Sequence, residues 1–135
     1  MIDSRISPHT DWLRLAEPLA LDSGQTLPDV RIAYRSWGQL SAAGDNAVLV
    51  CHALTGSADA DVWWAPLFGA GRTLDPSRDF IVCANALGSC YGSTGPASPA
   101  PDGQRWGARF PVITVRDQVR AHMRLQRRLH LVGAD

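Results

Sequence analysis

Two short segments carry residue types suited to acyl chemistry. His52-Ala53-Leu54-Thr55-Gly56 follows an apolar run, and its use lies in its backbone. A loop of this kind can turn N–H groups towards an oxyanion as it develops. Gly133-Ala134-Asp135 follows a second apolar run. Glycine, spacer and reactive side chain is the order of a sharp strand-to-helix turn, where the glycine permits the strain that lifts a nucleophile clear of a sheet. The side chain in that place is Asp135, where a serine is expected.

The remaining reactive side chains are weighed against plainer roles. His52 reads as a histidine that holds its loop rather than an acid–base catalyst. His122 reads as core or boundary, and His9 and His130 suggest no role. Cys51 and Cys83 lie in strand-like runs and are expected to pack there, while Cys90 is a loop residue that could line a pocket. No C-x-x-C occurs and the three cysteines cannot all pair, so neither a disulfide framework nor a metal site is expected. Trp63 and Trp64 either wall the entry to a site or simply pack.

These residues need elements to hold them. Leu13 to Leu21, the turn cluster Asp22-Ser23-Gly24-Gln25 and the near-alternating run Val30 to Trp37 read as an antiparallel pair closed by that turn. Ala47-Val48-Leu49-Val50-Cys51 and Phe80-Ile81-Val82-Cys83-Ala84 are apolar without alternation, the pattern of parallel strands in mid-sheet with helices on both faces. In open α/β sheets, chemistry gathers in loops at the carboxyl ends of such strands. Residues 88–111 hold five glycines and four prolines, which predicts a long irregular excursion, and a long loop inside a compact domain points to function. Thr114-Val115-Arg116-Asp117 resembles a capping box and opens a helix over Val115–Arg128. Its spacing gathers Val115, Val119, His122, Met123, Gln126 and Leu129 on one side, read as the buried one, and Arg116, Arg120, Arg124 and Arg127 on the other. Residues 129–133 then read as a third apolar strand. The helix meets Leu129 without a glycine to cap its last carbonyls, which suggests that a few residues are missing from that turn.

Composition bounds the partners. The chain has 135 residues, 13 cations and 13 acids, and every cation is arginine. That neutral sum argues against a nucleic-acid binder, and no apolar run is long enough to span a membrane. The five arginines of the last helix read as a solvated face rather than a basic docking surface. No targeting leader follows Met1, so the expected location is the cytoplasm.

Several ordered motifs extend the reading. His52-Ala53-Leu54-Thr55-Gly56, Val62-Trp63-Trp64, Gly69-Ala70-Gly71-Arg72-Thr73-Leu74-Asp75 and Asp79 to Asn85 come first, then Leu87-Gly88-Ser89-Cys90-Tyr91-Gly92-Ser93-Thr94-Gly95-Pro96-Ala97-Ser98, then Phe110 to Asp117. Together they resemble the homoserine O-acetyltransferase family. The resemblance implies a partial α/β-hydrolase fold, with a mixed sheet of antiparallel strands first, then parallel strands and covering helices. It implies that residues 1–135 are the N-terminal part of one such domain, cut at the nucleophile turn. The implied reaction passes acetyl from acetyl-CoA to a serine and then to the hydroxyl of L-homoserine, in methionine biosynthesis. Serine or homoserine O-succinyltransferase is the near alternative, and a non-catalytic fragment or another hydrolase of this fold is the distant one. The resemblance assigns the Leu54 backbone N–H to the oxyanion hole and Thr55 and Tyr91 to the substrate side. It puts Asp135 in the nucleophile's place, without a role. Acetyl-CoA is then a substrate, no cofactor or metal is needed, and the full-length family forms homodimers.

Overall fold

The computed structural model describes residues 6–131. The strands are β1 (Asp11–Arg14), β2 (Leu19–Ala20), β3 (Thr26–Leu27), β4 (Arg31–Trp37), β5 (Ala47–Val50) and β6 (Phe80–Ala84). The helices are α1 (Ala60–Trp63) and α2 (Val115–Arg128), with single 3₁₀ turns at Ala65–Leu67 and Gly107–Arg109. β1, β4, β6 and β5 form a four-stranded sheet in that order, and β2 and β3 form a separate hairpin. β4 runs antiparallel to β1 and β6, and β5 lies parallel to β6. The expected mixed sheet is therefore present.

The antiparallel pair is organised differently from the expectation. β1 does pair with β4, Trp12 opposite Ala33, but the Asp22–Gln25 turn closes only the β2–β3 hairpin. Leu21 N–H bonds to the Gln25 carbonyl and Gly24 N–H to the Leu21 carbonyl, with Gly24 at φ 81°. A tight turn supplies only a few residues of pairing, so the partner of a seven-residue strand has to come from further away.

β6 is the centre of the molecule. Successive side chains of a strand face opposite ways. Val82 and Ala84 join Leu19, Leu27, Ile32, Ala121 and Leu125 on one face, while Ile81 and Cys83 join Val50, Ala58, Ala60 and Leu74 on the other. Its lack of alternation is thus the signature of burial on both faces. β5 departs from that expectation: it lies at an edge of the sheet among the described residues, and its Leu49 is exposed. Cys83 is fully buried as expected, but Cys51 falls beyond the end of β5 and is exposed.

α2 has the expected bounds and its capping box. The Thr114 hydroxyl accepts the Asp117 N–H at 3.1 Å, and Asp117 accepts the Thr114 N–H at 3.0 Å. Asp117 also accepts the Asp22 N–H at 2.9 Å and an Arg120 bond at 3.0 Å, which fastens the β2–β3 turn to the helix. Burial alone would raise the pKa of this carboxyl, but those hydrogen bonds and Arg120 hold it below the ordinary carboxylate range.

The buried stripe of α2 is rotated from the expected one. Asp117, Ala121 and Leu125 face the sheet, whereas Val115, Val119 and Met123 are exposed. The capping box explains the offset. Because Asp117 must reach Asp22 and the helix start, it and the residues four and eight further on turn inwards.

Beyond α2 the chain turns rather than extends. Leu129 to Leu131 form no strand, and residues 132–133 of the expected strand lie outside the described residues. His130 adopts φ 60°, its N–H bonds to the Arg127 carbonyl, and the Leu131 N–H bonds to the Gln126 carbonyl. This is the hydrogen-bond pair of a Schellman cap, with histidine in the left-handed position that glycine usually takes. The helix end is closed without the missing glycine, and His130 has a structural role after all.

Candidate functional site

The site lies where β5 and β6 end. After β5 the chain forms a turn in which the Gly56 N–H bonds to the Ala53 carbonyl at 2.8 Å, leaving Leu54 and Thr55 at its tip. The Leu54 side chain is fully exposed, and among the described residues its N–H meets no acceptor. On a fully exposed residue that N–H faces solvent, and the held turn leaves it open to a ligand.

His52 does the holding. Its Nε2 accepts the Ala86 N–H at 3.2 Å, which leaves Nδ1 to donate to the Ala53 carbonyl 2.8 Å away. Both ring nitrogens are committed, so the imidazole is a staple between the two loops and has no proton position left for acid–base work. A second staple is Asn85, which is almost completely buried. Its Oδ1 accepts the Ala58 N–H at 2.7 Å and its Nδ2 donates to the Tyr91 carbonyl at 2.9 Å. From α2, the Gln118 amide clamps Leu87, donating to its carbonyl at 2.8 Å and accepting its N–H at 2.9 Å.

A buried ion cluster fixes the far side of the first loop. Arg35 on β4 donates to Asp59 at 2.8 Å and to both oxygens of Asp61 at 2.6 and 3.0 Å. Its guanidinium also lies 4.6 Å from the centre of the Trp37 ring. Ser57 donates to Asp59 at 2.9 Å and accepts the Trp63 indole N–H at 3.2 Å. Removing one partner from such a cluster strands a buried charge, so the cluster ties α1 and the turn to the sheet. Beneath the turn is a cavity of about 40 Å³ between Val50, His52, Ala53, Gly56, Ser57, Ala60, Trp63 and Trp64. The tryptophan pair therefore lines a space rather than packing alone.

The second loop spends its hydroxyls on the sheet. β6 ends at Ala84 opposite Tyr34, and β4 continues past it. The Asn85 N–H bonds to the Ala33 carbonyl, and the Thr94 N–H bonds to the Arg31 carbonyl. Ser93 Oγ accepts the Ala33 N–H at 3.0 Å and donates to the Asn85 carbonyl at 2.6 Å, while Thr94 Oγ1 accepts the Arg31 N–H at 2.8 Å. The Ser93-Thr94 pair thus continues the ladder after β6 has stopped. Gly92 (φ 105°) crosses over Trp12, and a Cβ there would lie 2.5 Å from the ring. No other residue fits that crossing.

Of the sequence-derived site residues, Leu54 and Thr55 share the turn, and Thr55 is exposed. Tyr91 sits half-buried on the neighbouring loop, positioned through its carbonyl. Asp135 lies outside the described residues. Cys83 is no nucleophile, because burial pushes its thiol up to about 12, with Cys51 and Asp59 adding to the shift. His122 is half-buried as expected, and its Nε2 has no partner. Arg35, Asn85 and Gln118 were not foreseen. The available signals were a cation in the middle of β4 and an asparagine placed directly after β6. Among the described residues no cluster of His, Cys, Asp or Glu could hold a metal, and no helix is long and apolar enough to cross a membrane.

A mixed sheet with a free backbone donor at the carboxyl end of a parallel strand defines the class: this is part of an α/β-hydrolase fold. The same fold appears in homoserine O-acetyltransferase from Bacillus anthracis, at TM-score 0.81 and 25% identity, over 90% of this chain and 37% of that one. An acetylester hydrolase from Corynebacterium glutamicum matches at TM-score 0.76 and 29% identity, over 88% of this chain and 33% of that one. No protein-family model matches. In sequence, the chain is 60% identical to homoserine O-acetyltransferase from Chloroherpeton thalassium over 120 residues, which is 88% of this chain and 32% of the relative. At that identity over most of its length, the chain belongs to the homoserine O-acetyltransferase family. It spans about a third of the length of the curated relatives it matches.

Proposed function

We propose that the chain is the N-terminal part of a cytoplasmic acyltransferase domain that moves acetyl from acetyl-CoA to the hydroxyl of L-homoserine. The observation that carries this reading is the unpartnered Leu54 N–H, held on a turn stapled by His52 at the end of a parallel strand. In the transfer the thioester C–S bond breaks, an oxygen ester forms at the homoserine hydroxyl, and the hydroxyl proton leaves with the CoA thiol. The Leu54 N–H supports the negative charge on the acyl oxygen as the carbonyl carbon becomes tetrahedral, and one such donor is worth about 10²–10³ in kcat. Thr55 at the turn tip and Tyr91 on the adjacent loop face the substrates. Asp135 carries no nucleophilic role. Acetyl-CoA is spent as a substrate, and no cofactor or metal takes part. The product belongs to methionine biosynthesis, and the full-length enzyme works as a homodimer.

The likeness to an acetylester hydrolase favours one second reading, in which water replaces homoserine as acceptor. Measuring CoA release from acetyl-CoA by the full-length enzyme, with and without L-homoserine, separates the two. Release that depends on homoserine is expected; equal release without it would sink the transferase reading.

A further inference from the structure

We infer that the cavity between the end of β1, the start of β4 and the loop after β6 is a phosphate-binding site, separate from the Leu54 turn. Its lining is Arg14, Asp29, Arg31, Thr94, Ser98 and Pro99, around a space of about 200 Å³. That volume holds roughly fifteen water-sized groups at ~10–15 Å³ each, more than one phosphate needs. Arg14 and Arg31 stand opposite each other where β1 ends and β4 begins. Two arginines are thus set against one aspartate, and the lining is cationic.

The donors on this lining are largely unspent. The Arg31 guanidinium lies 4.3 Å from the centre of the Trp12 ring, and among the described residues none of its N–H groups meets an acceptor. A stacked guanidinium keeps its five N–H donors for a ligand. Arg14 gives Nε and one Nη2 hydrogen to Asp29, at 2.8 and 2.9 Å, which neutralises the acid and leaves three donors. The Ser98 Oγ accepts the Gly95 N–H at 3.0 Å, and its own proton remains to donate. The frame around these donors is fixed. The Thr94 Oγ1 accepts the Arg31 N–H and the Thr94 N–H bonds to the Arg31 carbonyl, both at 2.8 Å, while the Ser98 N–H bonds to the Gly95 carbonyl at 2.9 Å. Planar arginine forks and a hydroxyl, held in place before a ligand arrives, suit a phosphomonoester or free phosphate. The phosphate has two sources, inorganic phosphate or the 3′-phosphate of acetyl-CoA, and only the second rests on the acyl-transfer reading.

The test uses the full-length enzyme and inorganic phosphate, titrated by calorimetry at constant ionic strength. The wild type should bind it. Arg31→Gln should weaken binding about tenfold or more, and Arg31→Lys, which keeps the charge without the fork, should fall between. Asp29→Asn removes the acid and releases Arg14, so it should tighten binding, a gain that an ion pair serving stability alone would not give. The melting temperature of Arg31→Gln should stay near that of the wild type, which separates lost binding from lost fold. KM values for acetyl-CoA and its 3′-dephospho analogue tell the two sources apart. With the 3′-phosphate as ligand, the analogue has the higher KM, Arg31→Gln removes the difference, and kcat is unchanged. Equal KM values with phosphate binding retained would assign the site to free phosphate. A wild type that binds no phosphate, or wild-type affinity in both Arg31→Gln and Asp29→Asn, would overturn the site. Phosphate binding by an enzyme that transfers no acetyl would keep the site and overturn the transferase reading.

Discussion

The loops that follow β5 and β6 start alike, each leaving an apolar strand at the same end of the sheet, and they use their polar groups in opposite ways. The loop after β6 is rich in hydroxyls, and those of Ser93 and Thr94 are spent on the ladder of β4. The loop after β5 has few polar side chains at its tip, and what it offers there is the backbone N–H of Leu54, which meets no acceptor among the described residues. Polar side chains therefore mark the scaffold here, and under the proposed acyl transfer the chemistry falls to a main-chain group that side-chain composition does not advertise. The second loop, with His52 and Asn85, supplies the rigidity that makes the first one useful.

The strongest way to break that contrast is to remove the N–H alone. Leu54 is the second residue of the Ala53–Gly56 turn, a position where proline is favoured in the common turn types, and its φ is not positive. Leu54→Pro in the full-length enzyme should lower kcat by about 10²–10³ while the melting temperature stays near that of the wild type. Leu54→Ala, which keeps the N–H, should lower kcat far less than Leu54→Pro. Equal activity in the Pro and Ala variants would remove Leu54 from the oxyanion site.

The second loop should behave in reverse. Ser93→Ala leaves the Ala33 N–H without its partner inside the sheet. Such an orphaned group costs about 1–3 kcal/mol, read as a lower midpoint in urea unfolding. At temperatures where the variant stays folded, acetyl transfer should fall far less than in Leu54→Pro. A large loss of kcat with unchanged stability would make Ser93 a participant rather than a support.

The two loops also differ in how legible they were. Apolar runs without alternation announced β5 and β6, and the capping box announced α2 to the residue, because strand burial and helix capping are local consequences of residue type. Leu54 was reached through a family resemblance, since nothing about leucine marks its N–H. The Arg35 cluster joins β4 to residues more than twenty positions away, and Asn85 joins segments on both sides of β6. Such pairings belong to the folded arrangement and leave no spacing to count. The α2 stripe failed for a related reason: helical periodicity defines a face but not its angle, and the contact between Asp117 and Asp22 set that angle from outside the helix. The expected strand at 129–133 failed over its described part because His130 accepts a left-handed conformation and closes the helix there.

The two histidines near these loops make the smallest and most selective test. His52 has both nitrogens engaged, whereas His122 on α2 keeps an unpartnered Nε2 in a closed environment. Burial lowers the His122 pKa from its ordinary value, a bond to the Asn85 carbonyl works against that, and the neighbouring His52 lowers it further. The folded state thus favours the neutral ring. Its contribution is complete above the unfolded histidine value of about 6.5 and is lost as pH falls through the lower folded value. Urea midpoints measured from pH 8 down to pH 5 should decline over that window, and His122→Gln should flatten the decline. A slope that survives His122→Gln would assign the titration to another group.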